Sequence, residues 1–204
     1  MRRGRIAAGA LVAALVLGRG APEARAWGYI AHRLVVEDAA AAVPEPLRSF
    51  FASRTGRLSD LSLEPDTVLK PADSEEGSHH FFNLDLLVEN PTLARDMPGD
   101  LEAARRRYGT ERLARAGILP WWIADRTAAL ARAMRDGDGE AVLVLSGHLS
   151  HYAADLHQPL HLTRNFDGLE THNDGIHMAF ERFLIEKRRD AFRPSTRDGE
   201  PPPS

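Results

Sequence analysis

The sequence predicts an all-α fold, a single-domain helical bundle with long loops. Three observations carry that expectation. Apolar residues recur at helical spacing, as at Ile30, Leu34 and Val35. Alanine, the residue that most favours helix, supplies much of the apolar content. Strand signals are sparse, and clusters of Pro and Gly punctuate the periodic stretches.

The elements follow in order. A helix is expected from Trp27 to about Ala42, ended by Pro44 and Pro46, with a short second helix over Leu47 to Ser53. Residues 55–79 read as loop, because Gly56, Pro65, Pro71 and Gly77 interrupt them. Pro98-Gly99 reads as a turn, and Asp100 as the N-cap of a helix from Leu101 to Tyr108. Gly117 to Pro120 opens a longer helix that runs to about Met134, and Asp136-Gly137-Asp138-Gly139 breaks it. Glu140 to about His157 is the strongest helical pattern, stopping before Pro159. Residues 162–174 form a Gly- and Asn-containing loop, and Ile176 to Lys187 is the last helix. From Arg188 to the Pro201-Pro202-Pro203 run, the composition predicts a disordered tail.

The first 26 residues read as a secretory signal. Arg2, Arg3 and Arg5 precede an apolar run of 12 residues, Ile6 to Leu17. Ala24-Arg25-Ala26 then supplies a small-x-small cleavage pattern. The run is short for a membrane span. These expectations divide the chain into a signal (1–26), one domain (27–187) and a tail (188–204), with export to the periplasm or the extracellular space and no stable membrane insertion. The signal holds five Arg and one Glu, so its removal moves the formal charge from −3 to −7. An acidic body argues against a polyanion binder that works by broad electrostatics. There is no cysteine, so disulfides are excluded and a metal site must use His, carboxylate and backbone atoms.

Nine histidines are available for that purpose. His151 and Asp155 are four apart on the strongest helix and share a face. His177 and Glu181 repeat that spacing on the last helix, and His161 follows Pro159 between them. Taken singly, each pair is an ordinary helical ion pair. Together, with a histidine placed to close on the same region, they have the donor types and spacing of a zinc site. Cleavage after Ala26 would make Trp27 the first residue, whose free α-amine is a metal donor once deprotonated, with His32 on the same helix.

These residues resemble the zinc-dependent phospholipase C and S1/P1 nuclease superfamily. The resemblance runs from Trp27 to about Glu181. It rests on Trp27-Gly28-Tyr29-Ile30-Ala31-His32, on Asp66 with His80-Phe81, on the run His151 to His161 (HYAADLHQPLH), and on His177 with Glu181. It implies a helical fold with three zinc ions. Asp66, His80, His151 and Asp155 would hold the first. His161, His177 and Glu181 would hold the second. The amine and carbonyl of Trp27 would hold the third with His32, and Asp155 would bridge to it. Asp60 and Asp73 compete with Asp66, which the family spacing favours. His172 competes with His177, which alone has a Glu four residues on. His79, His148 and His157 read as supporting or surface histidines.

The resemblance implies hydrolysis of phosphate esters by metal-activated water, with Asp66 orienting that water. No Gly-x-Ser-x-Gly elbow and no Cys offers a covalent route. The substrate is single-stranded nucleic acid or another phosphodiester on the nuclease side, where Phe81 would stack a base and Asn83 and Asp85 would read base edges. A phospholipid headgroup is the alternative, but the family's choline-contacting positions hold Ile30, Thr67 and Gly77 here. Characterised members extend well past their last zinc ligand, whereas 23 residues follow Glu181. The same ligands also suit a non-catalytic zinc-binding protein that leaves no coordination position open.

Overall fold

The computed structural model describes residues 28–188, and among them all regular structure is helical. The α-helices are α1 (Tyr29–Ala42), α2 (Leu47–Ala52), α3 (Thr55–Leu61), α4 (Lys70–Ala72), α5 (Leu101–Tyr108), α6 (Thr110–Ala116), α7 (Leu119–Asp136), α8 (Gly139–Leu156), α9 (Ile176–Met178) and α10 (Ile185–Arg188). Two wide π turns join them, Pro65–Leu69 before α4 and Ala179–Leu184 between α9 and α10. The proposed signal, Trp27 and the tail beyond residue 188 lie outside the described residues.

The long helices begin and end for local reasons. Asp100 accepts a hydrogen bond from the Ala103 N–H at 2.8 Å, and Asp138 accepts one from the Ala141 N–H at 3.0 Å, so both cap orphan donors. Gly137 adopts φ 71° between α7 and α8, the left-handed conformation that ends a helix cheaply. No helix among the described residues is long and apolar enough to cross a membrane.

The stretch 55–79 corrects the loop expectation. It contains α3, the first π turn, α4 and a 3-10 turn, Glu76–His79. Local propensity is weak there, and tertiary burial supplies the stability instead. Leu58 and Leu61 enter a core with Val36, Ala40, Phe51, Ala133, Val142 and Leu143. The approach of α3 to α8 is close: a Cβ added at Gly147 would lie 2.5 Å from Leu61 Cβ and 3.3 Å from Ser62 N. The short α6 also lay outside the expected elements. Gly109, at φ 83°, turns the chain into it, and Leu113 and Ala116 bury its inner face.

A second core gathers Phe82, Leu87, Ala104, Leu113, Ala116, Leu119, Trp121 and Tyr152. Helix α8 serves both cores, with Val142 and Leu143 in the first and Tyr152 in the second. Helices α1, α3 and α8 pack mutually, and α1 also touches α10. The elements that bear the chemical side chains are thereby held against one another.

Candidate metal centre

Helix α8 presents His151 and Asp155 inward, and both are fully buried. The His151 ring is oriented by its backbone neighbour: Nδ1 lies 2.8 Å from the Ser62 carbonyl, at the end of α3. That contact makes Nδ1 the donor and leaves Nε2 with a lone pair. His32 of α1 stacks on the His151 ring, centroids 3.9 Å apart and planes 14° apart.

His80 arrives from the segment after the 3-10 turn. Its Nδ1 lies 3.0 Å from Asp155 Oδ2, 3.0 Å from His151 Nε2 and 3.7 Å from Asp66 Oδ1. Asp66 sits on the first π turn and is the carboxylate of its segment that faces the cluster. Asp60 instead pairs with Arg33 at the surface, and Asp73 accepts from the Glu75 N–H. Lys70, one turn beyond, is 3.5 Å from Asp66 Oδ1.

A second group follows the end of α8. Pro159 and Leu160 turn the chain so that His161 faces back, and the Phe82 N–H donates to the His161 carbonyl at 2.8 Å. His161 Nε2 and His177 Nε2 are 3.0 Å apart, and Glu181 Oε1 lies 3.1 and 2.8 Å from them. The Gln158 amide donates to the same oxygen at 2.8 Å. Asp155 joins the groups. Its Oδ2 faces His80 and His151, and its Oδ1 lies 3.6 Å from His32 Nε2 and 3.8 Å from His161 Nδ1.

Three sets of donor atoms converge within 4.8 Å: His32, Asp66 and His151; His80, His151 and Asp155; His161, His177 and Glu181. The arrangement fits cations. Both nitrogens of His32, both oxygens of Asp66, Asp155 Oδ1, His161 Nδ1 and Glu181 Oε2 are buried without a hydrogen-bond partner. Orphaned polar atoms of this kind are expensive in a protein interior unless something else satisfies them. Imidazole nitrogens facing each other at 3.0 Å are explained when a cation lies among their lone pairs.

The electrostatics agree. Burial and the neighbouring His151 hold the His32 pKa well below its usual value. Burial opposes charge on Asp155, but His151 and His80 outweigh it and keep the carboxyl ionised well below the ordinary range. Glu181 is likewise lowered despite burial, through His161 and His177. His80 is driven to about 9, because Asp155 and Glu76 outweigh the cost of its burial.

Glu76 is absent from the sequence-based site. It is buried on the 3-10 turn, its Oε2 2.8 Å from His79 Nδ1 and its Oε1 3.4 Å from His80 Nε2. The Tyr152 hydroxyl donates to Glu76 Oε1 in a short hydrogen bond. Burial works against its charge, yet His79, His80 and Tyr152 bring its pKa down to about 2. The local signal for it is a carboxylate four residues before His80, a spacing that Glu75 misses by one.

Of the remaining residues singled out in the sequence, Phe81 is half-buried against Gly117, where φ is 84° and a Cβ would lie 2.1 Å from the Phe81 carbonyl oxygen. The Asn83 N–H donates to the Ala116 carbonyl. Asp85 is exposed and accepts from the Thr163 hydroxyl at 2.8 Å and the Arg164 N–H at 3.1 Å. Phe82, by contrast, is core and meets Trp121 edge-on. His79 stacks on Trp122, His148 pairs with Glu64, His157 caps the Ala153 carbonyl, and His172 is exposed.

No protein-family model, curated protein or solved structure matches the chain. The fold and the site therefore define its class directly: an all-helical protein with buried His and carboxylate groups suited to holding metal ions.

Proposed function

We propose that this chain is a zinc-dependent hydrolase of phosphate esters, of the phospholipase C and S1/P1 nuclease kind, acting on phosphodiesters. The strongest support is Asp155, which offers one oxygen to the His80 and His151 pair and the other to His32 and His161. A carboxylate so shared suits adjacent metal ions rather than one isolated ion. Donors restricted to N and O favour zinc with an open, catalytic position over a closed thiolate site.

In this reading His80, His151, Asp155 and Asp66 hold the first ion, and His161, His177 and Glu181 the second. His32 holds the third with the amine and carbonyl of Trp27, the residue exposed by cleavage of an export signal. Gly28, the first described residue, packs on the segment that carries Glu181: a Cβ there would lie 3.2 Å from the Glu181 carbonyl oxygen. Bound zinc supplies Lewis acidity toward phosphoryl oxygens and makes water a usable nucleophile at neutral pH. The chain's own residues position the reactants. Asp66 accepts a proton from the attacking water and orients it, while Phe81 offers a ring face to a base, with Asn83 and Asp85 nearby in sequence.

A phospholipase C reading draws on a different observation. Leu162, next to His161 in the chain, and Phe166 are exposed, and the Phe166 ring meets His177 edge-on at 5.4 Å. Such a rim suits an acyl chain.

The deciding experiment is hydrolysis of bis-p-nitrophenyl phosphate by the exported, zinc-loaded protein with and without chelator, followed by single-stranded DNA and phospholipid vesicles. Chelator-sensitive turnover is expected, with the faster polymer or lipid naming the substrate. Full zinc occupancy with no turnover on any phosphoester would instead identify a non-catalytic zinc protein. Native mass spectrometry of the same sample is expected to give a chain beginning at Trp27 with three zinc ions.

A further inference from the structure

Glu76 is 4% exposed and Tyr152 1% exposed, so neither faces solvent. A carboxylate buried this deeply needs partners, and Glu76 has three: His79, His80 and Tyr152. Two of them connect it directly to the elements of the centre. His80 is the residue whose Nδ1 meets Asp155, His151 and Asp66, and Tyr152 is the neighbour of His151 on α8.

The two rings of the first group present opposite nitrogens. His151 offers Nε2 because its Nδ1 is bonded to the Ser62 carbonyl. His80 offers Nδ1, so when Nδ1 gives its lone pair to a metal, Nε2 carries the ring proton and requires an acceptor. Glu76 Oε1 faces that nitrogen at 3.4 Å. The same oxygen receives the Tyr152 hydroxyl, and Oε2 is engaged by His79, whose ring is clamped flat against Trp122 with centroids 3.7 Å apart. These contacts hold the carboxylate facing His80 Nε2, at ion-pair distance rather than in a hydrogen bond.

We propose that Glu76 is a positioning residue of the metal centre. It fixes the tautomer and the angle of His80 so that Nδ1 is the ligating atom, and Tyr152 ties that setting to the helix that carries His151 and Asp155. The inference rests on the metal-binding reading above and adds a residue that the ligand set does not contain. A carboxylate behind a ligating imidazole raises its basicity and holds its plane, and loss of such a partner typically weakens metal binding about 10–100-fold.

The test is cobalt(II) titration of the metal-stripped full chain, read by visible absorption. Wild type is expected to fill the His80 group and the His161 group in separable steps, the latter assigned by its loss in His177→Ala. Glu76→Leu is expected to weaken the His80 step about 10–100-fold and shift its absorption, with the His161 step unchanged as an internal control of folding. Glu76→Gln keeps an acceptor oxygen and is expected to recover most of the affinity while still shifting the band. Should Glu76→Leu fail to fold, Glu76→Gln alone decides: a spectrum and affinity identical to wild type overturn the proposal. Glu76→Leu that titrates like wild type in both steps overturns the positioning role and leaves the metal reading standing. Wild-type protein that takes up no cobalt removes the metal reading and this inference with it.

Discussion

His161 and His177 hold their Nε2 atoms 3.0 Å apart, each also within 3.1 Å of Glu181 Oε1, although one ring stands on a 3-10 turn and the other on a separate helix. In the absence of a cation this contact places lone pairs against each other or demands a proton between them. A metal ion held by this group would therefore be coupled to fold stability.

Chelation should lower thermal stability. One ion at a free concentration a thousand times its Kd stabilises the folded state by about 4 kcal/mol. For a chain of this size that corresponds to roughly 8–16 °C in Tm. Calorimetry before and after chelator is the measurement. His177→Ala should show a smaller chelator shift than wild type, since one binding group is already gone.

Metal affinity should rise with pH up to about 9. His80 in the metal-free protein has its pKa raised to about 9, above the ordinary imidazole value, by Asp155 and Glu76 acting against its burial. A raised pKa means that the protonated ring stabilises the metal-free fold below the unfolded value of about 6.5, and that this contribution is lost as pH rises through about 9. The proton must leave before a metal takes Nδ1. Below pH 9 the apparent affinity of that group should fall by up to about tenfold per pH unit for this proton. Calorimetric titration in buffers of different ionisation enthalpy should count close to one proton released there near pH 7.

Gly147→Ala should damage stability and the first metal group together. The added carbon meets Leu61 Cβ at 2.5 Å, in backbone-supported core rather than at a flexible tip. Overpacking of this kind costs about 1–3 kcal/mol. Relief by displacing α3 carries Ser62 with it and loosens the carbonyl that orients His151. The expected result is a Tm lower by roughly 2–12 °C, with weakened binding at the His80 group and normal binding at the His161 group. An unchanged Tm would show that the helices separate without cost.

Asp66→Asn should separate metal binding from proton handling. The amide preserves shape but is a poor proton acceptor, and general-base contributions run to about 10²–10⁴ in rate. Turnover of bis-p-nitrophenyl phosphate is expected to fall within that range even when zinc is added until the metal content, measured on the same sample, matches wild type. Unchanged turnover at full metal content would remove Asp66 from the chemistry.

The sequence exposed the part of the site that follows helical period. His151 with Asp155 and His177 with Glu181 lie one turn apart, so their pairing needed only the spacing. The all-α architecture and the Asp100 cap were legible for the same local reason. Asp66 was separable from Asp60 and Asp73 only through a family resemblance, because its inward aim depends on a π turn that no propensity signals. Helix α3 was missed since its helicity follows from Leu58 and Leu61 packing near Gly147 across more than eighty residues of chain. Ser62 stayed hidden because its partner, His151, is equally remote, and Glu76 because the contact that ties it to α8, through Tyr152, is also long-range. Long-range packing chose them.

Both π turns carry a carboxylate of the centre, Asp66 in Pro65–Leu69 and Glu181 in Ala179–Leu184. The Lys70 N–H reaches back to the Pro65 carbonyl, five residues rather than four. Such a turn is an α-helix holding one surplus residue. Deleting one residue in either stretch would let the turn close to regular helix with its flanks still in register, and the widened turn that aims Asp66 or Glu181 at the centre would be lost. Chain length is therefore under constraint at these two places independently of which amino acids occupy them. Single-residue insertions or deletions there should be excluded among functioning descendants of this gene, even where substitutions at neighbouring exposed positions pass freely.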